Sequence, residues 1–176
     1  MISAVIPTRG DVDVLPIRKH LERYLEIDDI EVIHGTSPFN RYVAAARAKH
    51  DWIYTQDDDC ITDIQPLIDA YEPGLIVHAM TEAHAAQYPG RITLVGFGAL
   101  FHRRLIQVLE GWEQDWLFFR EADRVFTALN TCKTVFPRIQ ILPCATDDNR
   151  LYRQSHHNDA RAAITRRIYK RTGIAA

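Results

Sequence analysis

The sequence predicts an α/β protein, an αβα sandwich built around a mostly parallel central sheet. Short apolar runs that suit buried strands alternate along the chain with segments whose apolar residues recur at helical spacing. The 176 residues are 47% hydrophobic and 25% charged, which is the composition of an ordinary globular domain. We therefore expect a single domain over 1–176, in which helices connect the strands of one sheet.

The first half of the chain is predicted to hold three strands and three helices. Strands are expected at 3–6, which Pro7 and Gly10 end, at 30–33, and from Trp52 onward. Helices are expected at 14–25, at 40–48 and after 63. Asn40 and Asp63 are the predicted capping residues, because their side chains can accept hydrogen bonds from the first free amides of a helix.

The second half continues the alternation. Strands are expected at 75–78, 92–95 and 138–142, and helices at 103–109, 118–129 and 158–170. The last of these helices is basic. Its segment, 150–176, has seven basic residues against the single acidic Asp159, although the whole chain has a net charge of −2. Such a tail can be a solvated helix face, a phosphate clamp or a patch for a polyanion.

The triplet Asp57-Asp58-Asp59 follows the apolar strand that begins at Trp52. In an extended chain Asp57 and Asp59 would point to one side and Asp58 to the other. Two close carboxylates repel each other, so a divalent cation beside them would stabilise the arrangement. Oxygen-only ligands suit Mg²⁺ or Mn²⁺, and these ions usually bind together with phosphates. The alternative is a solvated acidic turn.

Other features of the sequence limit the location and the chemistry. The three cysteines are too widely spaced for a disulfide framework or a paired zinc site. The chain has no apolar stretch long enough for a membrane span, and its start lacks the basic region of a signal peptide. These features predict a cytoplasmic protein.

The residues around the first strand and the triplet resemble those of GT-A-fold (Rossmann-like) glycosyltransferases, especially the family 2 type. Pro7, Thr8 and Arg9 follow the first strand, and the triplet comes about fifty residues later, a spacing similar to the distance to the Asp-x-Asp motif of that family. The resemblance implies that this loop lines the nucleotide base and that Asp59 binds Mn²⁺ or Mg²⁺.

The resemblance implies further donor-site residues. Asp57 would face the ribose or the metal-bound diphosphate and contribute to the metal site, with Asp58 beside it. The helix that holds Asn40 and Arg47 resembles the helix that flanks the nucleotide pocket in the family. Gly98 lies in a segment that resembles the one closing under the donor sugar, and Arg150, Arg153 or Arg161 would meet the diphosphate.

The segment 120–124, Arg-Glu-Ala-Asp-Arg, resembles the acidic pair near the acceptor in this family. The resemblance implies that Asp123 is the general base, with Glu121 as an acceptor-binding neighbour or alternate base. The alternative is a charged helix face with local pairs of arginine and acid. Several relatives place a C-terminal histidine on the metal, so His156, or else His157, is a candidate ligand. A surface histidine pair is the alternative.

Together the resemblance implies a metal-dependent, inverting glycosyltransferase that uses a UDP- or GDP-sugar and a hydroxyl acceptor. The acceptor stays open, and a modified nucleic-acid base is one candidate because of the basic tail, although the acidic remainder would repel a phosphate backbone. The alternatives are a sugar nucleotidyltransferase, a metal-dependent nuclease, and a nucleotide-sugar-binding module without catalysis. Pro7-Thr8-Arg9-Gly10 is a poor version of the Gly-rich loop that a sugar nucleotidyltransferase usually has.

Overall fold

The structure, a computed structural model, describes residues 1–88, 90–112, 116–146, 148, 150 and 153–174. Its centre is a six-stranded sheet, with a separate two-stranded sheet beside it. In chain order the strands are β1 (Ile2–Thr8), β2 (Ile27–His34), β3 (Trp52–Thr55), β4 (Cys60–Thr62), β5 (Leu75–Ala79), β6 (Ala99–His102), β7 (Thr131–Val135) and β8 (Ile139–Ile141). The large sheet has the order β2-β1-β3-β6-β5-β7, and β4 pairs with β8.

Five strands of the large sheet run in the same direction, and β6 runs against them. β1 is parallel to β2 and β3, and β5 is parallel to β7, whereas β6 is antiparallel to both of its neighbours. Ala99, at the start of β6, therefore lies opposite Thr55 at the end of β3. The loop that enters β6 consequently reaches the same edge of the sheet as the triplet that follows β3.

Helices cover both faces of the sheet, as the predicted sandwich requires. They are α1 (Leu15–Leu21), α2 (Asn40–Arg47), α3 (Gln65–Ala70), α4 (Glu82–Ala85), α5 (Trp116–Leu129) and α6 (His157–Thr172). One core joins α2, α5 and α6 to the sheet face that holds Val5 and Phe101. The other core joins α1 and α3 to the opposite face, which holds Ala4 and Leu100. The α/β fold class and the mostly parallel sheet are confirmed.

The structure corrects four predictions about the elements. Residues 92–95 are irregular rather than a strand, because the ladder position beside β3 belongs to the following segment, β6. Asn40 lies inside α2, whose N-cap residue is Phe39. The strand at 138–142 is β8, outside the large sheet. The helix predicted at 103–109 is a 3₁₀ helix, Arg103–Leu109, whereas the basic helix predicted at 158–170 is confirmed as α6, which buries Ala160, Ile164 and Ile168 in the core.

None of the helices that the structure describes is long and apolar enough to cross a bilayer.

Candidate functional site

A cleft of about 630 Å³ opens at the edge of the sheet where β1, β2 and β3 end. Its walls are formed by the end of β1, the loop after β2, the aspartate triplet, the segment from α4 to β6 and the facing parts of α5 and α6. The side chains of Arg41, Ile141 and Arg150 line it as well. Of the residues predicted for the site, eleven line this cleft: Pro7, Thr8, Arg9, Asp57, Asp58, Asp59, Glu121, Asp123, Arg150, His157 and Arg161. The fold thus brings together side chains that lie far apart in the sequence.

The turn that contains the triplet is held from several sides. The Gln56 side chain is fully buried and donates to the Cys60 carbonyl over 2.6 Å, which closes the turn from within. The amide of Asp57 donates to the carbonyl of Gly96 over 2.7 Å, and the amide of Leu142 donates to the carbonyl of Asp59 over 2.8 Å. The segment before β6 and the residue after β8 therefore help to fix the backbone of the three aspartates.

Asp57 is linked to Asp123 through one buried arginine. Arg41, which is 3% exposed, donates from Nη2 to Asp57 Oδ1 over 2.5 Å, and its Nε lies 3.4 Å from Asp123 Oδ1. The Tyr42 hydroxyl donates to the same Asp123 oxygen over 2.7 Å. Burial raises the pKa of Asp123, and Asp57 adds to the rise while Arg41 opposes it. The α2 helix thus joins the triplet to the acid of α5.

Asp58 makes a different and more enclosed contact. Its carboxylate is buried and accepts from Arg150 Nη1 over 2.5 Å. Arg150 is buried as well, and its Nε donates to the carbonyl of Cys144 over 3.2 Å. The remaining nitrogen, Nη2, is buried without a hydrogen-bond partner among the described residues. Asp58 therefore anchors Arg150 at the wall of the cleft.

Asp59 has the electrostatic properties of a cation ligand. Burial and the neighbouring charge of Asp57 raise its pKa to about 6, although Arg150 opposes the shift. A carboxylate in this setting gains from a nearby cation, and its oxygens, with those of Asp57, are hard ligands that fit Mg²⁺ or Mn²⁺. Within the described residues, no three side chains of His, Cys, Asp or Glu form a ready-made metal set. Two carboxylates with phosphate oxygens and water would suffice for Mg²⁺.

The opposite wall of the cleft is basic. We call the side chains of Arg120, Arg124, Arg161 and His157 the arginine cluster; they come from α5 and from the start of α6 and surround Glu121. Glu121 is buried and lies at a kink in α5, where its φ is −118° and its ψ is 27°. Burial raises its pKa, and the three arginines act against that rise.

His157 lies in surroundings that do not favour a metal cation. Burial, together with the positive charges of Arg161, Arg120 and Arg124, lowers its pKa to about 4. His156, the other candidate ligand, is exposed at the N-cap position of α6 and is not part of the cleft wall.

Four other predicted residues also lie outside the lining of the cleft. Arg47 is exposed and pairs with Glu31 over 2.6 Å, and Arg153 pairs with Asp148 over 3.1 Å. The side chain of Asn40 packs against Gly35, so that its contribution to the wall is indirect. Gly98 has a φ of +128° and lies against Tyr54, which explains the glycine by backbone geometry rather than by a ligand.

Sequence reasoning missed Arg41, although its position contains a signal. Arg41, Ala44, Ala45 and Ala48 follow the spacing of one helical face, and all four are buried. An arginine on an otherwise apolar helical face requires buried acids as partners. The wall formed by Tyr88 and by 93–95 was missed too. Its apolar residues fit a strand equally well, and no local feature of the sequence places them at a cleft.

Solved structures with the same fold include three with a TM-score above 0.5. A197 from STIV has a TM-score of 0.53 at 12% identity, over 80% of this chain and 85% of that one. HddC from Yersinia pseudotuberculosis, complexed with GMP-PN, has a TM-score of 0.52 at 9% identity, over 80% and 93%. A putative glucose-1-phosphate thymidylyltransferase from Bacillus anthracis, in complex with a sucrose, has a TM-score of 0.52 at 8% identity, over 93% and 95%.

Searches of protein-family models and of curated protein sequences found no match. The likeness to the three structures therefore concerns the fold: a mostly parallel α/β sheet, flanked by helices, of the type found in a sugar nucleotidyltransferase.

Proposed function

We propose that this protein is a metal-dependent glycosyltransferase that moves a sugar from a nucleoside diphosphate sugar to a hydroxyl acceptor, with inversion. The observation that supports this most is the meeting of Asp57, Asp59 and Asp123 in one cleft at the carboxyl ends of the strands. Ligands of open α/β sheets bind at that edge. The order of the motifs along the chain, which resembles that of GT-A-fold enzymes, agrees with this placement.

The donor half of the cleft combines the end of β1 and Arg9 with the triplet. Pro7, Thr8 and Arg9 line one side, where the nucleobase would lie. Asp57 and Asp59 would hold Mn²⁺ or Mg²⁺, which when bound supplies positive charge to the diphosphate that departs. The unpartnered Nη2 of Arg150 is a suitable donor to a phosphate oxygen.

Asp123 is the proposed general base. Its described contacts, with Arg41 and Tyr42, both use Oδ1, which fixes the carboxylate and leaves Oδ2 to accept a proton. In the proposed step the acceptor oxygen bonds to the anomeric carbon while the bond from that carbon to the diphosphate oxygen breaks. The hydroxyl proton passes to Asp123, and attack from the face opposite the leaving group inverts the configuration.

A second candidate is a sugar nucleotidyltransferase. The name of the Bacillus anthracis neighbour favours it, and the GMP-PN bound to HddC supports a nucleotide ligand in either case. In this reaction a sugar phosphate attacks a nucleoside triphosphate and releases pyrophosphate. Because a phosphate oxygen is already anionic, the attack needs no general base, so the two candidates differ in their dependence on Asp123.

Calorimetric titration of UDP and GDP, each with Mn²⁺ or with EDTA, tests the donor site. We expect one nucleotide to bind only with the metal, and Asp59→Asn to weaken that binding at least about tenfold, since it removes one anionic ligand. Asp69→Asn is the matched control, because it removes the same charge from an exposed position on α3. If neither nucleotide binds under any condition, the proposal is wrong.

Product analysis separates the candidates. Purified protein is incubated with nucleotide sugars, or with nucleoside triphosphates and sugar phosphates. Asp123→Asn should lower sugar transfer by about 10²- to 10⁴-fold while nucleotide binding persists. Pyrophosphate release that is insensitive to Asp123→Asn would favour the nucleotidyltransferase. Nucleotide binding with neither transfer nor donor hydrolysis would identify a binding module.

A further inference from the structure

The arginine cluster contains several buried hydrogen-bond donors that the protein itself does not use. Each arginine donates one hydrogen bond to a neighbouring side chain: Arg120 Nη1 to Gln154, Arg124 Nη2 to Thr165, and Arg161 Nη1 to the Tyr88 hydroxyl. Arg120 Nε also lies 3.5 Å from Glu121 Oε1. These contacts orient the three guanidinium groups. Among the described residues, Arg120 Nη2, Arg124 Nε, Arg161 Nε and both ring nitrogens of His157 are buried without a hydrogen-bond partner.

Unused buried donors of this kind are unfavourable unless a ligand accepts from them. A buried polar group without a partner costs about 1–3 kcal/mol, and more when it is charged. Several such groups face one cleft here. The positive charges of the arginines also repel one another, since Arg161 helps to lower the pKa of Arg124. A ligand that brings acceptor oxygens would satisfy them together.

The charge of the cluster indicates which anion fits. Three guanidinium groups surround the single carboxylate of Glu121, which leaves a net charge of about +2 with His157 neutral. The start of α6, where His157 is the first residue, adds the positive end of a 16-residue helix. A phosphate monoester dianion would neutralise this charge, whereas a carboxylate would leave half of it.

The cluster is distinct from the part of the cleft proposed for the donor. The carboxylates of Asp57 and Asp58 pair with Arg41 and Arg150, whereas Glu121 Oε1 lies 3.5 Å from Arg120 Nε, inside the cluster. Asp123 Oδ1 lies 3.4 Å from Nε of Arg41, the partner of Asp57, and Asp123 is on α5 between Arg120 and Arg124. The proposed base thus lies between the triplet and the cluster.

We propose that the arginine cluster binds a phosphate group on the acceptor, so that the second substrate is a hydroxyl compound that bears a phosphate monoester. This inference rests on the proposed function. The cluster would hold the phosphate on the far side of Asp123 from the donor and so direct a hydroxyl of the same molecule toward the base. A nucleic-acid backbone fits less well, since each of its diesters carries one negative charge and the remaining walls of the cleft include the triplet.

The first test uses inorganic phosphate and phenyl phosphate as probes, titrated into the full chain in EDTA. We expect binding without metal, weakened at least about tenfold in Arg161→Gln and in Arg124→Gln, since each substitution removes a charged donor. Arg166→Gln, an exposed charge on the same helix, is the matched control and should bind as the wild type does. Glu121→Gln should bind phosphate more tightly, a gain that damage to the fold would not produce.

Three results would overturn the inference: no binding of either probe to the wild type, loss of metal-dependent nucleotide binding in Arg161→Gln, or displacement of phenyl phosphate by an oligonucleotide without terminal phosphates. The second would assign the cluster to the donor diphosphate, and the third to nucleic acid. Phosphate binding in EDTA is measured separately from nucleotide binding with Mn²⁺, so failure of the donor site and failure of the cluster are distinguishable.

Discussion

Adjacent aspartates in this chain are stabilised in different ways. The Asp57 carboxylate meets Arg41, and the Asp58 carboxylate is enclosed with Arg150. Asp59 instead has a raised pKa, the response of a buried acid to desolvation and to a like charge. The triplet was identifiable from the sequence because three acids follow an apolar strand. The pairing of these acids with Arg41 and Arg150 was not identifiable, because the arginines approach the triplet through tertiary packing.

The pair of Asp58 and Arg150 should contribute strongly to folding. In Asp58→Asn the Arg150 guanidinium would stay buried without its countercharge, so we expect a loss of about 3–5 kcal/mol in the free energy of unfolding. Glu31→Gln is the control, since it breaks the exposed pair with Arg47 and should cost less than about 1 kcal/mol. Urea unfolding measures both, and equal losses would contradict the burial argument.

At the scale of elements, the segment that precedes β6 forms a wall of the cleft and also constrains Asp57. A Cβ at Gly96 would lie 2.2 Å from Asp57 Oδ2, much too close for two non-bonded atoms. Because the Asp57 amide is bound to the carbonyl of the same glycine, neither side can move away freely. A side chain at position 96 would therefore collide with the Asp57 carboxylate, which explains the glycine at this position.

Gly96→Ala should displace the Asp57 carboxylate and weaken metal-dependent nucleotide binding about tenfold or more, as expected for a shifted charged ligand. Gly173→Ala is the control. Within the part of the chain that the structure describes, its added Cβ would meet nothing within 4 Å beyond its own chain neighbours, and its φ of +72° predicts a loss of stability without an effect on the nucleotide. Nucleotide titration of both variants measures the effect. Unchanged binding in Gly96→Ala would show that Asp57 can relax.

The elements also show where prediction from the sequence ends. Helices α5 and α6 were predictable because their apolar residues recur at helical spacing. β7 was missed, since Thr131, Lys133 and Thr134 weaken its apolar signal and it lies at the edge of the sheet. Residues 92–95 are apolar enough for a strand, but they pack in the core and line the cleft and do not pair with another strand.

At the scale of the whole molecule, a buried histidine links stability to pH. His78 in β5 is 1% exposed and contacts the Thr134 hydroxyl of β7 over 2.9 Å and the Thr93 hydroxyl over 3.2 Å. Burial lowers its pKa to about 4, from an ordinary 6.5. The unfolded chain therefore binds a proton between these two values that the folded protein does not.

The free energy of unfolding should consequently fall by roughly 3 kcal/mol as the pH decreases from 6.5 to about 4, because of this histidine. Below that range His78 should contribute little further change. His78→Asn lacks this contribution, so the difference in unfolding free energy between wild type and variant should narrow as the pH falls. Urea unfolding at pH 7.5, 5.5 and 4.5 measures it. Parallel curves for the two proteins would show that His78 does not titrate as its burial requires.

The place of β6 in the sheet has a consequence for how the protein acquires its site. β6 joins the group β2-β1-β3 to the group β5-β7, and it follows β5 along the chain. During synthesis the two groups can pair across the centre only after residue 102 has emerged. The carbonyl of Gly96, just ahead of β6, is then bound by the amide of Asp57. Closure of the sheet and assembly of the aspartate turn should therefore occur in the same kinetic step, and a nascent chain that ends before β6 would not yet hold a nucleotide.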